Sequence, residues 1–423
     1  MNKHIRLIFM MMRYFVGGVF SAVLIASFSW AQSTPVKDDI VPVINEVTPA
    51  VDEATPVIDL ALQAKKEALG AILFNDPSLS NPAGQSCATC HKASAAFSDA
   101  GRVVSEGVIK GKFGPRNTPS LTYARFSPAL GKEDYGDDWV GGQFWDGRAQ
   151  SLQEQALGPL LNPVEMNNTL EGLAKTLRAS VYWPQFIAIY GEVGLKDDQA
   201  IAEAAGNALQ AFQRTDVFAP FSAKWDYASA GILQLTEQET LGEQIYSGTG
   251  SCFDCHSGIA EDSFQVYTGF KMHNILVPKN PALPFYTQAP DVNPDGARYL
   301  DLGAGLNERI ALADRMRLKG AFKTPTLRNV ALTAPYMHNG VFATLDEVIE
   351  FYRDVNKFAP PEVDGIKSTL LTVKLTIDDN EKLALIAFLN TLTDGYPATP
   401  EQKARLKAAH AAWRAHSNLL NGP

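Results

Sequence analysis

Cysteine is scarce in this chain: four in 423 residues, too few to staple a fold of that size with disulfides. No run of basic residues occurs, and Lys plus Arg (37) are outnumbered by Asp plus Glu (46), for a formal charge of −9. Such a balance argues against a nucleic-acid binder. Alternating polar and apolar stretches are nearly missing, which argues against a β-rich fold. No segment beyond the first thirty residues is apolar enough to span a bilayer, which takes ~20 residues. With 46% hydrophobic and 20% charged residues, the chain is neither disordered nor collagen-like and has material for one large or two medium cores.

What is present begins with a leader. Lys3, Arg6 and Arg13 precede an apolar stretch from Tyr14 to Phe28, and Ser29-Trp30-Ala31 is a small-x-small cleavage site. Residues 1–31 are expected to be a secretory signal peptide, with export to the periplasm and no membrane span in the mature chain. Its removal lowers the formal charge from −9 to −12, because three basic residues go and no acidic one does. Residues 32–58, rich in Pro, Val, Thr and acids, are expected to be a flexible spacer.

Helical patterns follow from Asp59 onward and at about 169–180, 182–190, 198–214, 236–246, 344–354, 376–392 and 399–418. Thr236 with Glu239, and Thr376 with Asp379, have capping-box spacing. The expected class is mostly α with long connecting loops. An internal repeat divides the chain. Leu69-Gly70, Phe74 and Ser86-Cys87-Ala88-Thr89-Cys90-His91 are echoed by Leu241-Gly242, Tyr246 and Ser251-Cys252-Phe253-Asp254-Cys255-His256. Two similar domains are expected, 59–225 and 236–396, with a helical extension over 397–423.

All four cysteines lie in the two repeated Cys-x-x-Cys-His motifs, the attachment pattern of c-type haem. Two thiols add to the haem vinyls and the adjacent His becomes the proximal iron ligand. A four-Cys zinc site or a redox dithiol competes, but neither explains a His at the same place twice. Two covalent haems are therefore expected, on Cys87, Cys90 and His91 and on Cys252, Cys255 and His256. After His91 the next histidine is His256, and the only Met between them is Met166. The first haem then has no distal His from its own half. An open sixth position allows peroxide or oxygen to bind.

An ordered set of longer motifs resembles the bacterial dihaem cytochrome c peroxidase/MauG superfamily. It comprises Gly114-Pro-Arg-Asn-Thr-Pro119, Gln143-Phe-Trp-Asp-Gly-Arg148, Gln155-Ala-Leu-Gly-Pro159 and Pro163-Val-Glu-Met166. It continues with Phe322-Lys-Thr-Pro-Thr-Leu-Arg-Asn329, Ala334-Pro-Tyr-Met-His-Asn-Gly340 and Leu345-Asp-Glu-Val-Ile-Glu-Phe-Tyr352. The resemblance runs from about Ala61 to Asp394 and implies two cytochrome-c-like domains, the first haem reacting with peroxide. It implies Trp145 as the inter-haem indole, Glu165 as the distal carboxylate that moves the peroxide proton, and Gln155 and Pro159 as pocket residues. It also implies one Ca²⁺ between the domains, held by the Asn117 side chain and the Thr333 and Pro335 carbonyls.

Two departures point to the MauG/MbnH-like branch. Ordinary cytochrome c peroxidases carry a displaceable His shortly before the Gly-Pro-Arg-Asn motif, whereas Ser105–Phe113 contains none. Where those enzymes place a Met ligand on the second haem, this chain has Tyr352, with Met337 or Met272 as the alternative ligand. A phenolate is hard and anionic and favours oxidised iron, so the resemblance implies a bis-ferryl state shared through Trp145. In the MauG branch a Trp just before the second haem motif carries the hole outward; here that position is Gly250. The expected activity is H₂O₂-driven oxidation of a Trp or Tyr on a partner protein, with Trp413 in the C-terminal extension available for docking. The alternatives are peroxide reduction fed by a small cytochrome or cupredoxin, and a plain dihaem electron carrier.

Overall fold

The computed structural model describes residues 59–133, 136–258, 264–368 and 375–421, with side chains up to Trp413 in the last segment. The expected leader and spacer lie outside the described residues. The helices are α1 (Leu60–Asn75), α2 (Cys87–Cys90), α3 (Leu152–Leu161), α4 (Leu170–Ala179), α5 (Trp183–Tyr190), α6 (Asp198–Gln213) and α7 (Lys224–Ser229). They continue as α8 (Glu237–Ser247), α9 (Phe253–His256), α10 (Leu312–Arg317), α11 (Leu345–Arg353), α12 (Asp379–Asn390) and α13 (Pro400–Asn421). Strands among the described residues are two residues long. β1 (Gly131–Lys132) pairs antiparallel with β2 (Trp139–Val140), and β3 (Met272–His273) with β4 (Phe322–Lys323). The mostly helical expectation holds, and among the described residues no helix is long and apolar enough to cross a membrane.

Local chemistry sets the helix ends. Asp59 caps α1 by accepting from the Ala61 and Leu62 N–H groups. Thr236 and Glu239 form the expected box on α8. At α12 the expected Thr376–Asp379 box is replaced by Asp378 and Glu381, each side chain accepting from the other's N–H at 2.8 Å. Asp378 is the better cap because its carboxylate faces the positive end of the helix.

Each repeat builds a helix crossing of the same kind. α1 lies against α6 at Gly70, where a Cβ would stand 2.0 Å from the Ala208 carbonyl oxygen and 2.8 Å from Phe212 Cβ. α8 lies against α12 at Gly242, where a Cβ would stand 2.0 Å from the Ala384 oxygen and 2.8 Å from Phe388 Cβ. Only glycine permits so close a backbone approach. Around the first crossing Leu69, Leu73, Leu173, Leu177, Phe186 and Leu209 form one core. Around the second, Ile245, Tyr246, Ile349, Leu385 and Phe388 form another.

Buried ion pairs bind distant segments. Arg328, 1% exposed, meets both Asp226 carboxylate oxygens at 2.8 Å and donates from Nε to the Gln265 carbonyl. Arg116 grips Asp301 with Nε and Nη2 at 2.6 and 2.8 Å and reaches Asp146 with Nη1 at 2.6 Å. The planar guanidinium suits such forked contacts.

Candidate functional site

Each Cys-x-x-Cys-His motif sits in the wall of a cavity, at the end of the core its repeat builds. The first cavity, about 300 Å³, is lined by Cys87, Cys90, His91, Trp145, Gln155, Pro159 and Glu165. The second, about 230 Å³, is lined by Cys252, Cys255, His256, Met337, Tyr352 and again Trp145. The two cysteine pairs therefore belong to separate cavities. Among the described residues no three His, Cys, Asp or Glu side chains form a metal-binding cluster, which disfavours the four-Cys zinc alternative. The four cysteines form no disulfide with one another, and burial pushes the Cys87 and Cys252 thiols up to about 12.

The histidines are oriented alike. His91 N–H bonds back to the Cys87 carbonyl at 2.8 Å, and His256 N–H to that of Cys252 at 3.0 Å. His91 Nδ1 lies 2.8 Å from the Phe97 carbonyl, and His256 Nδ1 lies 3.1 Å from that of Tyr267. A carbonyl accepts from Nδ1–H, which leaves Nε2 as the nitrogen free to bind iron. Burial pulls both imidazoles below their usual range, His256 to about 4, so both are neutral. The residues present fit a proximally ligated haem in each cavity.

The open side of the first cavity is built by α3 and the turn after it. Ser151 caps α3, which carries Gln155 and Pro159. Past its end, Glu165 N–H donates to the Asn162 carbonyl at 3.0 Å, while the Glu165 carbonyl accepts from Val108 at 2.8 Å. A Cβ at Gly107 would lie 2.3 Å from the Val164 carbonyl oxygen, so the loop over Glu165 closes only with glycine there. Burial raises the Glu165 carboxyl above the usual carboxylate range, opposed by the Arg148 charge and an Asn162 hydrogen bond. Among the described residues His91 is the only histidine lining this cavity.

Trp145 stands on a tight loop. Gly142 and Gly147 both have positive φ, a Cβ at Gly142 would meet the Gly147 oxygen at 2.2 Å, and Gln143 N–H closes on the Ala149 carbonyl at 2.7 Å. The Trp145 carbonyl accepts from the β4 residue Lys323 at 2.7 Å, and its indole N–H donates to the Asn117 carbonyl at 2.9 Å.

In the second cavity Tyr352, on α11, shares the wall with His256. Its hydroxyl makes no hydrogen bond among the described residues, and burial together with the two nearby thiols raises its phenol above the ordinary tyrosine range. Met337 lines both cavities, with φ of 73°. Met272 instead packs with Leu130, Ala304 and Ile310 and does not line the second cavity.

Asn117, Thr333 and Pro335 all line the first cavity. The Asn117 amide nitrogen donates to the Arg102 and Val103 carbonyls, which turns Oδ1 away as the free oxygen. The Ala334 carbonyl is taken by the Gly101 N–H, while those of Thr333 and Pro335 accept no hydrogen bond among the described residues. Three neutral oxygens are the kind of donor a hard cation takes, with water completing its shell.

Several neighbours escape sequence reasoning. His338, 4% exposed, stacks on Phe322 with centroids 3.7 Å apart and sets Nε2 3.3 Å from Glu362. Lys323 lines both cavities, and burial pulls its ammonium down to about 8. The ordered motifs contain His338 and Lys323, but nothing in them reveals the Glu362 contact.

Comparison with known proteins agrees with this architecture. A family profile described as di-haem cytochrome c peroxidase matches residues 64–232. Methylamine utilization protein MauG of Paracoccus denitrificans is 40% identical over 353 residues, covering 77% of this chain and 88% of that protein. Cytochrome c551 peroxidase of Nitrosomonas europaea is 31% identical, with coverage of 78% and 80%. The crystal structure of the diheme peroxidase BthA from Burkholderia thailandensis superposes with a TM-score of 0.69 at 31% identity, covering 78% of this chain and 86% of that one.

Proposed function

This chain belongs to the di-haem cytochrome c peroxidase family and is a haem peroxidase-type oxidoreductase with two haem groups, and we propose that it uses H₂O₂ to oxidise a Trp or Tyr side chain of a partner protein in the periplasm. The observation that carries the reading is the pairing of Tyr352 with His256 in the second cavity, together with the lone His91 in the first. A second strong ligand on one haem and none on the other divides the work between storing and accepting oxidising equivalents.

In this reading Cys87 and Cys90, and Cys252 and Cys255, would hold the two haems, and His91, His256 and Tyr352 would bind their irons. When bound, the haems supply the redox chemistry that splits peroxide. The Glu165 carboxylate takes a proton from the peroxide O–H and returns it to the departing oxygen. Gln155 offers an amide to hydrogen-bond the bound oxidant, and Pro159 keeps that wall apolar. Trp145, common to both cavities, couples them electronically. Asn117 Oδ1 and the Thr333 and Pro335 carbonyls would hold a Ca²⁺, whose charge would tie these segments together. Residues 1–31 direct export, and the two haem-bearing domains meet between α6 and α8.

The test is to mix ferric holoprotein with H₂O₂ and no reductant. A lasting oxidised spectrum without prior one-electron reduction is expected. Fast turnover of a reduced cytochrome or cupredoxin, only after prior reduction, would overturn it. That second reading, cytochrome c peroxidase, is favoured by one observation: Met337 reaches the second cavity and could replace Tyr352.

A further inference from the structure

We infer that the oxidising equivalent leaves the protein through Tyr123 and Trp413: Tyr123 in the wall of the first cavity passes a hole across Phe221 and Phe264 to Trp413 on α13, which oxidises the partner's aromatic side chain. This rests on the peroxide-driven reading above and adds the route out.

A buried oxidant reaches a bulky protein only through side chains that can be oxidised in turn, because tunnelling falls steeply with distance. No such ring can stand at Gly250. Its N–H donates to the Ile245 carbonyl at 2.7 Å, and a Cβ would lie 2.6 Å from that same oxygen. Another exit is required.

Tyr123 is 1% exposed and lines the first cavity, as Trp145 does. Its hydroxyl donates to the Asp394 carboxylate, 3.0 and 2.9 Å from the two oxygens. Asn329 Nδ2 and the Ser222 N–H fix that carboxylate in place at 2.8 and 2.9 Å. The Arg328 guanidinium stands 5.1 Å from the Tyr123 ring and 4.8 Å from that of Phe221. A cationic radical beside it is disfavoured, so Tyr123 must release its proton as it loses an electron, and Asp394 is placed to take it. Among the other buried tyrosines, Tyr182 also donates to a carboxylate, that of Asp76, but it lines neither cavity. The Tyr267 hydroxyl has no hydrogen-bond partner among the described residues, and that of Tyr246 donates to the His256 backbone carbonyl.

From Tyr123 the rings are continuous. Centroid separations are 4.9 Å to Phe221, 4.5 Å from there to Phe264, and 5.3 Å from there to Trp413. The phenylalanines bridge without being oxidised. Trp413 is half-buried, with one side packed on this cluster.

The electrons balance. Tyr123 gives one electron to the peroxide-oxidised haem pair and its proton to Asp394, forming a neutral radical. Trp413 then gives one electron to that radical, and Asp394 returns the proton. The Trp413 radical cation takes one electron from the partner side chain, which releases a proton to solvent. Two passes supply the two electrons with which H₂O₂, taking up two protons, becomes two waters.

The experiment treats holoenzyme with H₂O₂ without partner and maps oxygen addition by peptide mass spectrometry, alongside radical detection by electron paramagnetic resonance. Modification concentrated at Trp413 is expected, falling to background in Tyr123→Phe and in Phe221→Leu, with a tyrosyl signal lost in the former. Tyr123→Phe and Trp413→Phe keep ring packing and should prolong the oxidised optical spectrum. If that spectrum forms but Trp413 is unmodified, or is modified equally in Tyr123→Phe, the relay is wrong. If no oxidised spectrum forms, the peroxide reading itself fails and the relay with it.

Discussion

The indole N–H of Trp145 donates to the carbonyl of Asn117 at 2.9 Å, while the preceding Arg116 and the following Asp146 close a salt bridge at 2.6 Å. Two adjacent residues of one motif thus hold two adjacent residues of another. The ring common to both cavities is fixed by backbone and charge together, which suits an electronic bridge that must not wander.

Replacing Trp145 by Phe removes that hydrogen bond at a cost of about 1 kcal/mol and leaves the ring loop otherwise packed. Both haems should stay attached in the purified variant. The peroxide-generated spectrum should decay much faster than in the parent when followed by stopped-flow absorbance.

Glu165→Gln should slow formation of that spectrum by roughly 10²–10⁴, the usual contribution of a positioned acid–base group. Since burial raises the Glu165 carboxyl, the parent rate should fall as pH drops through a value above the ordinary carboxylate range, where the base becomes protonated. The Gln variant should show no such inflection. A parent-like rate and profile would remove Glu165 from the mechanism.

The first haem should be high-spin in the oxidised protein, because His91 is the only histidine among the described residues that line its cavity. Electron paramagnetic resonance of the ferric enzyme should show a high-spin and a low-spin iron together. Two low-spin signals would mean that a protein ligand closes the first site.

Tyr352→Met should raise the potential of the second haem, since a thioether favours ferrous iron, and should shorten the life of the oxidised state. Met337→Leu should change neither the potential nor that lifetime appreciably. The opposite pattern in a redox titration would make Met337 the ligand.

Arg116 holds the Asp301 carboxyl at about 2, below its ordinary value. A depressed folded value stabilises the protein above the unfolded one and loses that contribution as pH falls. Asp301 should therefore contribute roughly 2 kcal/mol near neutrality, lost between about pH 4 and 2. Acid unfolding of Asp301→Asn, monitored by circular dichroism, should be shallower across that window.

Elements with a strong local signal were readable from sequence. The helix over Asp198–Gln213 follows its apolar stripe, and α8 begins where Thr236 and Glu239 place it. α3 is harder to read, because Gly158 and Pro159 punctuate it. Pro159 removes one helical donor, and Gly158 makes room for the Phe144 ring, which would lie 2.9 Å from a Cβ there. The cap of α12 shifts from Thr376 to Asp378 because both offer an acceptor and the carboxylate wins. Each Cys-x-x-Cys-His motif announces itself within five residues. Arg116 and Asp301, or His338 and Glu362, come together only through the folded chain, and no local pattern records such pairs.

The matched crossings at Gly70 and Gly242 bear on how the two halves came to differ. When two helices touch backbone to backbone, their separation is set by main-chain atoms rather than by side chains that drift over generations. Each half therefore has a helix crossing of the same spacing ahead of its Cys-x-x-Cys-His turn. What faces that turn differs: α3 and the turn after it, with Gln155, Pro159 and Glu165, in one half, α11 with Tyr352 in the other. A repeated scaffold held rigid at a glycine can give its two halves different tasks through one differing wall of each.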